Sequence, residues 1–201
     1  MNFRFAILLA ATLLECGEGF AQESSTVELT GYYSYFRFNP ENSGMVTSNS
    51  LNGGGVDATL FFTKMFGIKG ELADYGSHTI NYTNGSVSAA VRANLFTYTL
   101  GPILKFRVWK VEPFGEALFG GAHSSFYGNL CKVYTGCTAN NPSNNSFDFI
   151  LGGGLDIPLS KSIAFRPAQV DYALTRFGNG FRSGNQNQSN FRYQIGIQFR
   201  F

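Results

Sequence analysis

Charge is the scarce ingredient of this sequence. Asp, Glu, Lys and Arg together make up 14% of its 201 residues, and base exceeds acid by only +2. A balance this mild excludes the basic stripe with which nucleic-acid binders meet phosphate, so no nucleic-acid partner is expected. There are only two histidines and three cysteines. They are too scattered for a ligand cluster, so neither a metal nor another cofactor is expected. After residue 14 no stretch approaches the ~18 consecutive apolar residues of a membrane-crossing helix. Glycine is plentiful, but Gly53-Gly54-Gly55 and Gly152-Gly153-Gly154 lack the spacings of phosphate-cradling loops.

Aromatic side chains are abundant, with 21 Phe and 10 Tyr, and many recur at every second position. From Phe191 to Phe201 every odd position is aromatic or aliphatic and every even one is Arg, Gln or Gly. This is a β-strand apolar on one face and polar on the other. Its length matches the ~9–11 residues of a tilted strand crossing a bilayer. In water such a strand would be an aggregation-prone edge, whereas a closed barrel in lipid covers the apolar face and pairs the backbone. Tyr193, Ile195, Ile197, Phe199 and Phe201, at two-residue steps, resemble the C-terminal assembly signal of bacterial outer-membrane β-barrels. That resemblance implies recognition by the barrel-assembly machinery.

The N-terminus reads as an export signal. Met1-Asn2-Phe3-Arg4 is a short basic head, Phe5 to Leu14 an apolar core, and Gly19-Phe20-Ala21 a small-residue cleavage site before Gln22. Residues 1–21 are thus expected to be removed, leaving 22–201 as one barrel domain. The signal carries Arg4, Glu15 and Glu18, so the mature chain has 14 bases and 11 acids. Cys16 could suggest a lipoprotein, but Glu15 stands where a lipobox needs a small residue.

Alternating segments fall at about 26–38, 53–62, 66–75, 88–106, 111–123, 147–157, 162–175 and 190–201. The gaps alternate between three short ones and four long ones, 39–52, 76–87, 124–146 and 176–189, rich in Asn, Ser, Gly and Thr. This spacing predicts an all-β, eight-stranded antiparallel up-and-down transmembrane barrel. Its short turns would face the periplasm and its long loops the outside. In strand seven, Ile163 and Phe165 share one parity, while Val170, Tyr172 and Leu174 share the other. A β-bulge at Pro167-Ala168 would account for the switch. The register of strands one, four and five is ambiguous.

With the apolar faces in outer-membrane lipid, the polar faces meet inside. The interior set is Glu28, Asp57, Lys69, Glu71, Arg92, Glu116, Asp148, Asp156, Arg166, Asp171, Arg192 and Arg200. Acids and bases nearly balance there, as charges in a narrow lumen must, because an isolated one loses several kcal/mol of solvation. An eight-stranded interior is just wide enough for side chains to fill, which predicts a salt-bridged plug.

Cys131 and Cys137 share the longest loop. In an exported chain they are most simply a disulfide, and Lys132 to Gly136 offers no further metal ligand. His123 and Ser125 form an H-x-S pair that resembles the site of the outer-membrane lipid A deacylases. The resemblance implies Ser as nucleophile, His as base and a carboxylate as orienter. No Glu follows the pair, and only Asp148, Asp156 or Asp171 could substitute. The eight-segment layout over 22–201 resembles the transmembrane domain of the outer-membrane protein A family. That implies a non-enzymatic structural or surface-recognition role, with extracellular ligands met through the loops. The alternatives are a barrel-wall lipid A or phospholipid acyl hydrolase and, more weakly, a narrow low-conductance pore.

Overall fold

The computed structural model describes residues 26–38, 49–84, 87–125, 129, 145–178 and 185–201. The expected signal peptide, Cys131 and Cys137 lie outside these residues. Eight strands follow one another in order: β1 (Thr26–Phe38), β2 (Asn49–Phe61), β3 (Phe66–Asn84), β4 (Val87–Lys105), β5 (Glu112–Ser124), β6 (Asn145–Pro158), β7 (Ile163–Gly178) and β8 (Asn185–Arg200). Each pairs antiparallel with its neighbour, and β8 returns to β1 to close the barrel. The seam is completed by reciprocal backbone bonds between Val27 and Phe201 at 2.9 and 3.3 Å. No edge is left, so every strand finds both its partners.

The alternation sets which side faces out. Leu29, Val56, Leu60, Ile68, Leu72, Leu100, Phe119, Leu151, Val170, Phe191 and Phe199 are exposed on the outer wall, while Asp57, Lys69, Glu71, Glu116, Asp171 and Arg192 are buried inside. In β8, Ile197 is 50% and Phe199 47% exposed, and Gln194 and Gln198 are fully enclosed. The arrangement inverts that of a water-soluble barrel.

Three tight turns close one end. In the first, residues 62–65, the Thr63 hydroxyl accepts from Phe66 N at 2.9 Å. In the third, residues 159–162, the Ser160 hydroxyl does the same for Ile163 N at 3.1 Å. Short hydroxylated side chains thus satisfy backbone donors that the ladder leaves free. The middle turn is a two-residue hairpin in which Val108 and Val111 exchange both backbone bonds.

The bulge expected at Pro167-Ala168 is present: pairing with β8 slips between Arg166 and Gln169. It lets Arg166 and Gln169 both point inward, while Tyr193 Oη donates to the Pro167 carbonyl at 2.9 Å. The expected long loop 76–87 is different. β3 continues to Asn84 and β4 starts at Val87, so both strands run on as a hairpin separated only by residues 85–86. At 19 residues each, these strands are about 60 Å long at ~3.3 Å per residue, more than a bilayer requires. The expected strand at 88–106 agrees with β4 to within a residue at its start, and it is only β3, over 76–84, that replaces expected loop. A bulge at Asp74/Ser77 begins the extension, with Gly76 at φ +60° and its N–H bound to Asp74 Oδ1 at 2.8 Å.

Inward glycines make room for inward bulk. A Cβ at Gly55 would lie 2.4 Å from the Tyr32 hydroxyl, and one at Gly120 would lie 1.9 Å from the Tyr98 carbonyl oxygen. Neighbouring strands therefore approach more closely than any other residue allows. Gly120→Ala is expected to cost about 1–3 kcal/mol by overpacking, read as a smaller fraction of unboiled protein migrating in the folded position. Gly31→Ala, with nothing within 4 Å of the new methyl, should fold as the parent does.

Candidate functional site: the charged barrel interior

The half of the interior nearest the turns is filled by one continuous ionic network to which all eight strands contribute. Lys105 (β4) reaches Glu28 (β1) at 2.5 Å and Asp156 (β6) at 2.7 Å. Arg166 (β7) binds Asp156 through Nε at 2.8 Å and Asp57 (β2) through Nη1 at 3.0 Å. Lys69 (β3) sits among Glu116 (β5) at 2.9 Å, Asp57 at 3.3 Å and Glu71 (β3) at 3.5 Å. Arg192 (β8) grips Glu71 on one side and Asp171 (β7) at 2.8 Å on the other. Arg200 pairs with Glu112 and, at 3.5 Å, with Glu28. Neutral amides fill the remaining gaps: Gln169 donates to Glu116 and Asp171, and Gln198 to Glu28.

Aromatic rings shield the cations that this network concentrates. The Phe114 face lies 4.5 Å from the Arg166 guanidinium and within 6 Å of both Lys69 and Lys105. Phe61 underlies Lys105 and Arg107. A close contact of this kind, such as Arg166 over Phe114, adds about 2 kcal/mol when desolvated. With Ile103, these two phenylalanines form the small apolar core that fills the space beside the ions.

Above this tier the interior changes character. Phe36 and Tyr75 pack with ring centroids 5.1 Å apart, and Tyr75 Oη shares a hydrogen bond with Ser34 at 3.0 Å. Leu51, Ala73, Leu95, Leu118, Ala122, Ile150 and Ala173 are buried at this level. Asp148, enclosed here beside Thr175 and Gly120 in register, makes no ion pair with any described residue, and its Oδ1 has no hydrogen-bond partner. Among the described residues the interior is therefore ionic at one end and largely neutral at the other.

Most of the expected interior charges enter this network: Lys69, Glu71, Glu116, Asp156, Arg166, Asp171, Arg192 and Arg200, with Glu28 and Asp57. The side chain of Arg92 is outside the described residues; its backbone pairs with Thr79. Three participants went unread. Glu112 lies four residues before Glu116 on the same strand face, a signal that was available. Lys105 and Arg107 were hidden because β4 and its turn carry apolar residues of both parities, Ile103 and Leu95 inward and Leu100 and Leu104 outward.

His123 and Ser125 stand at the loop end of β5. His123 Nδ1 is bonded to the Asn145 amide oxygen at 2.8 Å, and Ser125 exchanges bonds with Asn94, accepting at Oγ and donating its N–H at 3.0 Å. Each of the two is thus engaged with an asparagine. Tyr193, Ile195, Ile197 and Phe199 lie on the outer wall of β8, followed by exposed Phe201.

Two opposite substitutions test the energetics of this interior. Arg192→Met leaves Asp171 without its cation and Glu71 with Lys69 alone, and should lower stability by about 3–5 kcal/mol. Asp148→Asn removes a buried carboxylate that makes no ion pair with a described residue and should raise it, by about 1–3 kcal/mol. Urea unfolding of protein refolded in vesicles measures both.

No family model matches the chain, and no curated protein sequence does. Solved structures match it in fold. Neisserial surface protein A superposes with a TM-score of 0.61 at 11% identity, over 87% of this chain and 97% of that one. OprG, an outer membrane protein of Pseudomonas aeruginosa, gives 0.59 at 14%, over 88% and 95%. Ail, the attachment invasion locus protein of Yersinia pestis, gives 0.51 at 14%, over 89% and 100%. In architecture the chain is a small eight-stranded β-barrel of the outer-membrane type.

Proposed function

We propose that this chain is an integral, non-enzymatic protein of the bacterial outer membrane. Its barrel is plugged by side chains, and its loop end meets extracellular partners. One observation carries the reading: a continuous apolar outer wall encloses an ionic interior, a polarity that is stable only where acyl chains surround the sheet. The strand end bearing the long connections would face outward and the three tight turns the periplasm. Arg166 and Arg192, spanning the bore with carboxylates on both sides, support a plug over a pore. The engagement of His123 and Ser125 with asparagines supports a structural role for the pair at the strand end.

Delivery follows from the same surface. Tyr193, Ile195, Ile197, Phe199 and Phe201 present a row of apolar side chains that would engage the barrel-assembly machinery before closure, after export by a signal at 1–21.

Four outcomes are expected. Unboiled protein should migrate differently from boiled protein, because the closed ladder resists detergent, and Phe201→Ala should reduce the unboiled folded fraction in cells. Identical migration of boiled and unboiled samples would remove the barrel from the membrane. Purified protein in planar bilayers should pass no steady current; stable conductance would favour the pore. Ser125→Ala should leave the lipid A acylation pattern of producing cells unchanged by mass spectrometry, and an altered pattern would favour the acyl hydrolase.

A further inference from the structure

The three tight turns carry Lys64, Arg107, Lys110 and Lys161 and not one acidic residue. The four connections at the opposite end, nearly three times as long in total, carry only Glu41, Lys132 and Arg182. The acids nearest the turns, Glu28 and Glu112, are spent on interior partners: Glu28 on Lys105, Arg107 and Arg200, and Glu112 on Arg200. Of the four turn cations, Arg107 is held by the Lys64 carbonyl and Glu28. The three lysine ammonium groups make no ion pair with a described residue.

Around these lysines lies an apolar and aromatic rim. Phe62, Met65, Phe66, Phe106, Val108 and Leu159 are all exposed at the turn end. Trp109 is the most exposed of the large apolar side chains, at 89%, with the Lys110 ammonium 4.5 Å from its ring centroid. Trp109 also has φ +51° at the first central position of its two-residue hairpin, a site where glycine is the unstrained choice. A left-handed conformation is strained for an L-residue, and the Lys110 ammonium leaves most of a ring this exposed uncovered. What would compensate it is a partner with an apolar region beside an anionic one.

We infer that the turns form a collar for anionic phospholipid headgroups of the adjoining leaflet: Lys64, Lys110 and Lys161 attract the phosphates while Trp109 seats at the headgroup–acyl boundary. The collar rests on the membrane-barrel reading proposed above. Tryptophan prefers that boundary, its ring being apolar and its N–H polar. Each lysine close to an anionic surface contributes up to about a five-fold preference. Trp109 and the three lysines all lie at the turn end, so the headgroups they would meet are those of the leaflet adjoining that end.

Trp109 is the sole tryptophan of the chain, so its fluorescence reports the collar without labelling. The full mature chain is refolded into vesicles of phosphatidylcholine with an admixture of phosphatidylglycerol, brominated on one lipid or the other. Gel mobility of unboiled samples first establishes insertion. Brominated phosphatidylglycerol should quench Trp109 several-fold more efficiently than an equal amount of brominated phosphatidylcholine. The excess should vanish at high salt, and also in the combined variant Lys64→Gln, Lys110→Gln, Lys161→Gln. Equal quenching by the two lipids in inserted wild-type protein overturns the collar. So does an excess that survives both salt and the triple substitution. Failure to insert into either vesicle would instead count against the membrane barrel itself.

Discussion

An ion enclosed by a narrow sheet has no solvent to share its charge with, and that constraint shapes the whole interior. Lys69, Lys105, Arg166, Arg192 and Arg200 each touch at least two carboxylates, Arg107 touches Glu28 alone, and most of those carboxylates touch a second cation. The pairs come from strands far apart in sequence: Lys105 with Glu28, Arg192 with Glu71, Arg166 with Asp57. The network therefore holds the barrel cross-section closed in the way an apolar core holds a soluble domain. Desolvation makes such pairs weak sources of net stability. Their value lies in specificity, because a strand slipped by one residue would carry its charges to the lipid side and its phenylalanines into the bore.

Space imposes the second condition. Two long guanidinium side chains, several carboxylates and the Phe61 and Phe114 rings cannot share an eight-stranded bore unless other inward positions carry almost nothing. Glycines at 55, 120, 152 and 154 supply that emptiness. Asp171 lies over Gly152, and Phe114 over Gly154. The same device operates outside, where the Tyr98 ring covers Gly121. Bulk and absence of bulk are thus paired across strands.

Legibility in the sequence followed the contrast between the two faces. β8, β6 and β2 alternate between apolar and polar, so their parity was readable. Even the switch in β7 could be located, because Pro167 marks the one place where a central ladder tolerates it. Legibility faded where the contrast did. In β4 the inward Leu95 and Ile103 look like outward residues, so Lys105 escaped notice. The part of β3 beyond Tyr75 was read as loop, because Gly76, Ser77, Thr79, Asn81, Thr83 and Asn84 have the composition of a connection. The unpaired Asp148 and the apolar layer around it were equally unreadable, since which inward residues meet one another depends on barrel stagger, not on spacing along a strand.

Closure joins β1 to β8, the two strands most distant along the chain. Until they meet, both carry bare hydrogen-bonding edges, and the outer wall is a greasy sheet without lipid. An unclosed sheet of this chain would expose both edges and its apolar wall to water together, an arrangement that favours aggregation over a stable form. Its two outermost strands are then free to be matched with each other only when a membrane is at hand.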